Sequence, residues 1–138
     1  MNERMINYYM EVAERTATLS RARRLQVGCI IVKDDAIISQ GWNGTPKGFD
    51  NNCENENDDG TLTTKNEVIH SEINAISKIA KSTHSSDGAY MFLTHSPCYD
   101  CTKAIIQSGI KKVYFRTPYR EESPVELLKK ANVEVHQV

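Results

Sequence analysis

From Ala89 to Val138 the sequence alternates without exception: "AYMFLT", "SPCYDCTKAIIQSG", "KKVYF", "SPVELLKKAN", "VEVHQV". The three short apolar runs fit strands. The segments between them carry helical spacing and begin Ser-Pro, an N-cap followed by a first-turn proline. The first therefore predicts a helix that opens at Cys98, runs to Gln107 and stops at Gly109, with Cys98 and Cys101 both in its first turn. Strands joined through helices cannot pair as tight hairpins. They pair in parallel, with the helices laid on the sheet, so this half alone demands a layered α/β domain.

The first half completes the sheet. Ile6, Met10, Ala13 and Ala17 recur at helical spacing, predicting an amphipathic helix from about Asn2 to Leu19, followed by the basic cluster "SRARR". "VGCIIV" is a continuous apolar run, short enough for a buried strand, and "KDD" turns it into a second strand, "AIISQGW", that ends near Trp42. From Asn43 to about Glu67 the chain is polar, rich in Gly, Asn and Asp, and without period. That is long for a structureless connection, and such loops are commonly functional. "HSEINAISKIAKS" then resumes helical spacing through Ile73, Ile76, Ile79 and Ala80. The expected architecture is a three-layer α/β/α domain around a mixed five-stranded sheet whose last strands are parallel, a single domain spanning residues 1–138.

Composition narrows the partners. With 138 residues, 39% apolar, and a net charge of -1, the chain fits one soluble core and leaves no basic footprint for a long nucleic acid. No apolar run reaches the ~18 residues of a membrane span, and "MNERMINYYM" lacks the features of a secretory signal. The expectation is a cytoplasmic protein with a small-molecule substrate and no membrane partner. Four cysteines, Cys29, Cys53, Cys98 and Cys101, then read as metal or catalytic groups more readily than as a disulfide framework.

Cys98-x-x-Cys101 by itself is compatible with a redox pair, zinc ligands or chance. His70 and Glu72 add context, because "HSE" opens one helix and "PCYDC" opens the next. His70, Cys98 and Cys101 can therefore converge at two helix N-termini, where the positive end of the dipole favours thiolates. Three protein ligands leave the fourth tetrahedral position open, the arrangement of a catalytic rather than a structural zinc, and Glu72 is placed to move protons. Cys29, inside an apolar strand, reads as packing. His84, His95 and His136 are isolated and read as surface or hydrogen-bonded residues, His95 being of most interest because it lies three residues before Cys98. Trp42 and Phe49 either flank a ligand or cover the edge of the core.

His-x-Glu followed by Pro-Cys-x-x-Cys is the signature of the zinc deaminases. Over nearly its whole length the chain resembles that superfamily, and "RRLQVGCIIVKDD", "GWNGTPKGFDNNCE", "HSEINAI" and "THSPCYDCTKAIIQSGIKKVYF" resemble its deoxycytidylate (dCMP) deaminases, including small bacterial and phage forms. The resemblance implies a cytidine-deaminase-like fold and hydrolytic conversion of dCMP to dUMP and ammonia, supplying dUMP for thymidylate synthesis. It implies one Zn2+ on His70, Cys98 and Cys101, with Glu72 passing a water proton to ring nitrogen 3 and then to the leaving amine. It also implies substrate contacts from the backbone at Ser71 and Ser96, from Asn43 to the 3'-hydroxyl, and from Arg24, Tyr119 and Arg120 around the 5'-phosphate.

The family is typically homohexameric, with dCTP activating and dTTP inhibiting. By resemblance the effector segment involves Trp42, Asn43, Gly44, Asp50, Asn52 and Glu54, with Mg2+ on the triphosphate. The chain departs from the family's pattern at Ser71, usually Ala, and lacks the Cys/His-rich insertion that holds a second zinc in some phage relatives, which leaves Cys53 a poor second site. Two alternatives stay open: another nucleobase or tRNA adenosine deaminase with the same zinc chemistry, and a non-catalytic zinc module. "RRLQVG" in place of an Asn-Pro-containing approach weighs against the tRNA enzymes, and Glu72 weighs against the module.

Overall fold

The computed structural model describes residues 1–138 and contains helix α1 (Glu3–Ala17), strands β1 (Gly28–Lys33), β2 (Ala36–Trp42), β3 (Glu54–Glu56) and β4 (Leu62–Thr64), helix α2 (Ser71–Ala80), strand β5 (Tyr90–His95), helix α3 (Tyr99–Gln107), strand β6 (Lys112–Thr117), helix α4 (Ser123–Lys130) and strand β7 (Glu134–Gln137). The main sheet has the order β2-β1-β5-β6-β7. β1 pairs antiparallel with both β2 and β5, whereas β5, β6 and β7 run parallel. The mixed five-stranded sheet with parallel last strands is the one expected.

Alternation along the strands divides the core in two. Ile30, Val32, Phe92 and Tyr114 face Tyr9, Met10 and Ala13 of α1. Cys29, Ile31, Met91, Leu93, Val113 and Phe115 face the other way, toward Ala75 and Ile79 of α2, Ile105 of α3 and Leu128 of α4. Strands covered on both sides need apolar residues at every position, which explains why "CIIV" and "MFL" are unbroken runs. The α3 and α4 crossovers lie on one face because both advance the sheet in the same direction with the same hand.

The β1–β2 hairpin turns at Asp34 and Asp35, with φ of 50° and 60°, the positive values that a two-residue turn matched to strand twist requires. Two glycines bring helices into main-chain contact with this hairpin. A side chain on Gly28 would overlap the carbonyl of Ala13 and the nitrogen of Ala17 in α1, and one on Gly41 would overlap the carbonyl of Ser71 and the nitrogen of Ala75 in α2.

Several expectations need correction. α1 is shorter than the predicted span, starting at an Asn2 cap whose side chain accepts from Met5 N at 2.9 Å and ending at Ala17. Ser96 does not cap α3. Its N–H donates to Thr117 O and its hydroxyl accepts from the N–H of Tyr119, so it belongs to the β6 side, and Cys98 is the N-cap with extended backbone. Cys98 therefore precedes the first turn and only Cys101 lies within it. Likewise Glu122, not Ser123, takes the cap position of α4. The polar segment after Asn43 is not structureless: it contains the β3–β4 hairpin and a bridge between Gly44 and Ile69.

Candidate active site

β5 delivers the chain at its C-terminal end to Ser96, Pro97 and Cys98, the end of parallel strands where α/β sheets place ligands. α2 brings its N-terminus to the same place, held against the β2 backbone by the Gly41 contact. His70 is the N-cap of α2 with extended backbone (φ -70°, ψ 155°), and Glu72 stands in the first turn. The two helix starts predicted to converge do so. His70, Cys98 and Cys101 are the one group of three His, Cys, Asp or Glu side chains whose donor atoms gather, all within 4.8 Å of one another.

His70 Nδ1 lies 3.3 Å from Cys101 Sγ and 3.5 Å from Cys98 Sγ. The Cys98 thiol is pulled down to about 4, first by the hydrogen bond from Cys101 and then by that from His70. Cys101 is pushed up because its proton is held by Cys98 and because it is buried. His70 is raised, chiefly through its hydrogen bond to Cys98. Two sulfurs and one imidazole nitrogen suit Zn2+, and three ligands leave the fourth position open.

Glu72 is 4% exposed, and burial raises its carboxyl above the ordinary value, against the hydrogen bond from the Ser71 hydroxyl, which favours the anion. A carboxyl tuned upward beside an open metal position is a suitable proton carrier near neutral pH.

A cavity of about 420 Å³ joins this cluster to the rest of the candidate residues. All of the predicted substrate-binding residues line it: Arg24, Asn43, Ser71, Ser96, Tyr119 and Arg120. Of the six residues assigned to effector binding, only Asn43 and Glu54 do, while Trp42, Gly44, Asp50 and Asn52 lie outside it. Asn43 has much of its amide engaged: Oδ1 accepts from Val27 N and Nδ2 donates to Leu25 O, both at 2.8 Å, leaving one N–H for a ligand. Arg24 donates to Thr64 Oγ1 at 3.0 Å, and Arg120 makes no hydrogen bond or ion pair within the chain. Asp50 Oδ1 accepts from Asn52 N, an internal loop bond.

Sequence reasoning left three cavity residues outside the site: His95, singled out but read as a surface or hydrogen-bonded residue, and Cys53 and Thr64. His95 lines the cavity, half-buried, with Nδ1 2.8 Å from Thr94 Oγ1, and its place directly before Ser96 was the available signal. Thr64 and Cys53 line it too, but Thr64 arrives on β4 and Cys53 directly before β3, a hairpin that no local pattern announced.

Residues 3–117 match the family described as the cytidine and deoxycytidylate deaminase zinc-binding region. The ComE operon protein 2 of Bacillus subtilis is 39% identical over 136 residues, covering 95% of this chain and 69% of that protein. The deoxycytidylate deaminase of Enterobacteria phage T4 is 32% identical over 169 residues, covering 94% and 87%. Among solved structures, the dCMP deaminase of cyanophage S-TIM5 in complex with dCMP and dUMP superposes with a TM-score of 0.92 at 45% identity, covering 100% of this chain and 99% of that one.

Proposed function

Because this chain belongs to the cytidine and deoxycytidylate deaminase zinc-binding family, we propose that it hydrolyses dCMP to dUMP and ammonia. The observation that carries this reading is the single cavity in which Glu72 and the His70 and Cys98 members of the His-Cys-Cys cluster share walls with Arg24 and Arg120. Its volume, about 420 Å³, suits a nucleoside monophosphate. The two guanidinium groups suit a phosphate through paired N–H donors. The S-TIM5 enzyme, captured with dCMP and dUMP, supports the same substrate.

His70 Nδ1 and the sulfurs of Cys98 and Cys101 would hold the zinc, whose Lewis acidity makes water a nucleophile at neutral pH. Glu72 takes one proton of the attacking water and gives it to ring nitrogen 3 as carbon 4 is attacked, then takes the remaining proton from the new carbon-4 hydroxyl and gives it to the exocyclic amine, so that the C–N bond breaks, ammonia leaves and the carbonyl forms. Ser71 hydrogen-bonds to the Glu72 carboxylate and keeps it on the cavity side of α2. The backbone at Ser71 and Ser96 meets the pyrimidine edge, Asn43 offers its free N–H to the deoxyribose, and Tyr119 with Arg120 closes on the phosphate end. The N–H of Tyr119 is fixed to the Ser96 hydroxyl, which ties the phosphate end to the β5–α3 loop.

The product dUMP serves thymidylate synthesis, and the proposal extends to a homohexamer activated by dCTP and inhibited by dTTP with Mg2+. Support for regulation comes from the stretch "GWNGTPKGFDNNCE", three of whose residues, Asn43, Cys53 and Glu54, line the substrate cavity. Asp50 and Glu54 join no cluster of three ligating side chains, so magnesium would take most of its ligands from the triphosphate and water.

The test is ammonia release by zinc-loaded protein from dCMP, deoxycytidine, cytosine and a tRNA substrate. The expected result is a strong preference for dCMP. Turnover of tRNA, or equal rates on dCMP and deoxycytidine, would overturn the reading. Rates across dCMP concentrations with each triphosphate test the regulation, which predicts opposite shifts of the curve.

A further inference from the structure

Glu54 is an acidic residue from a polar stretch, yet it is only 1% exposed. A carboxylate withdrawn from water must be met by donors. Its Oε2 accepts the backbone N–H of Arg23 at 2.9 Å and of Arg24 at 3.1 Å. Oε1 lies 3.5 Å from Arg23 Nε. Two successive main-chain amides converging on one oxygen hold the backbone of residues 23 and 24 in place. The Arg23 side chain is drawn off by the same hairpin, with Nη1 on Glu56 Oε1 at 2.9 Å and Nη2 on Asn52 Oδ1 at 3.1 Å.

Arg24 is left to line the cavity, and its guanidinium is held by Thr64 Oγ1 at 3.0 Å. Glu54 and Thr64 are paired across the β3–β4 ladder. One facing pair of residues therefore grips Arg24 twice, by its main chain and by its side chain. Arg23 offsets the charge of Glu54, so the acid holds the segment without cancelling the positive charge that Arg24 presents.

We propose that the Glu54–Thr64 pair is a positioning element that presets Arg24 for the 5'-phosphate and thereby sets the KM for the nucleotide. The inference rests on the dCMP reading above, since it requires a phosphate to reach Arg24. Its physical basis is that an arginine already ordered loses less freedom when an anion binds.

Steady-state kinetics of the zinc enzyme with dCMP provide the test, using inorganic phosphate as a competing anion. Glu54→Ala is expected to raise KM for dCMP about tenfold and Thr64→Val about threefold, with kcat within about twofold of wild type. The inhibition constant of phosphate should rise in parallel. Glu54→Gln should restore KM to within about threefold, because its amide oxygen can still accept both N–H groups. Thr64 is exposed, so its variant reports even where Glu54→Ala fails to fold. Wild-type KM in Thr64→Val and in a folded Glu54→Ala, or a fall in kcat at unchanged KM, would overturn the inference alone. A wild-type enzyme indifferent to the phosphate of dCMP would overturn the function reading and this inference with it.

Discussion

The Ser71 hydroxyl donates to Glu72 Oε1 across 2.6 Å, in a first helical turn where the two residues are 0% and 4% exposed. Burial holds the Glu72 carboxyl above its ordinary value, and this bond works in the opposite direction by favouring the anion. Ser71→Ala removes the opposing contribution. The carboxylate form is the one that accepts a proton from water, so the acid limb of the kcat/KM profile should move to higher pH. A pH–rate profile with an unmoved limb would show that the hydroxyl does not tune the base.

Glu72→Gln should keep its zinc and lose about 100- to 10,000-fold in kcat, the usual cost of removing a general acid/base. Cys98→Ala and His70→Ala should instead lose the metal. Metal analysis beside the rate assay separates the two outcomes, and near-wild-type turnover by Glu72→Gln would remove Glu72 from the mechanism.

Arg24→Ala and Arg120→Ala should each lower kcat/KM for dCMP by about tenfold or more, the worth of a charge-assisted contact to phosphate. Deoxycytidine, which lacks the phosphate, should be affected far less. Parallel assays on the two substrates decide, and equal losses would point to damaged folding.

Burial would push the Glu54 carboxyl up, but the backbone N–H groups of Arg24 and Arg23, with the Arg23 charge, outweigh it and hold the group below 4.5. A depressed folded value means the contribution to stability is complete above 4.5 and is lost as pH falls through the folded value. Urea midpoints measured between about pH 5 and pH 3 should fall more steeply for wild type than for Glu54→Gln. Identical slopes would show that ionisation of Glu54 contributes nothing to stability.

Gly28→Ala should destabilise the fold by about 3 kcal/mol, because the added methyl meets the α1 main chain rather than a side chain that can turn aside. The readout is the urea midpoint of the zinc-bound protein. A neutral result would mean that α1 can withdraw from the sheet.

The convergence of His70, Cys98 and Cys101 was legible because the motif is local: His70 and Glu72 open one helix, and Cys98 and Cys101 lie at the start of the next. Helix starts were less so. A Ser-Pro pair marks a turn into a helix, but whether Ser96 caps it depends on Thr117 and Tyr119, which are distant in sequence and already hold its N–H and hydroxyl. Glu54 was illegible for the same reason. Read locally it is one more acid in a polar loop, and only the antiparallel pairing with Thr64 and the return of the "SRARR" segment reveal it as a buried carboxylate. The α/β layering was clear from the alternation of short apolar runs with helically spaced segments, since strands joined through helices pair in parallel with the helices laid on the sheet.

Gly28 and Gly41 lie on neighbouring strands, in contact with helices on opposite sides of the sheet. Elsewhere the layers are spaced by side chains, whose volumes change whenever the core mutates. At this corner the spacing is set by peptide groups, which are the same whatever residues carry them. The carbonyl resting on Gly41 belongs to Ser71, directly before Glu72. Much of the apolar core can therefore change while Glu72 keeps its distance from the sheet, provided those two positions stay without side chains.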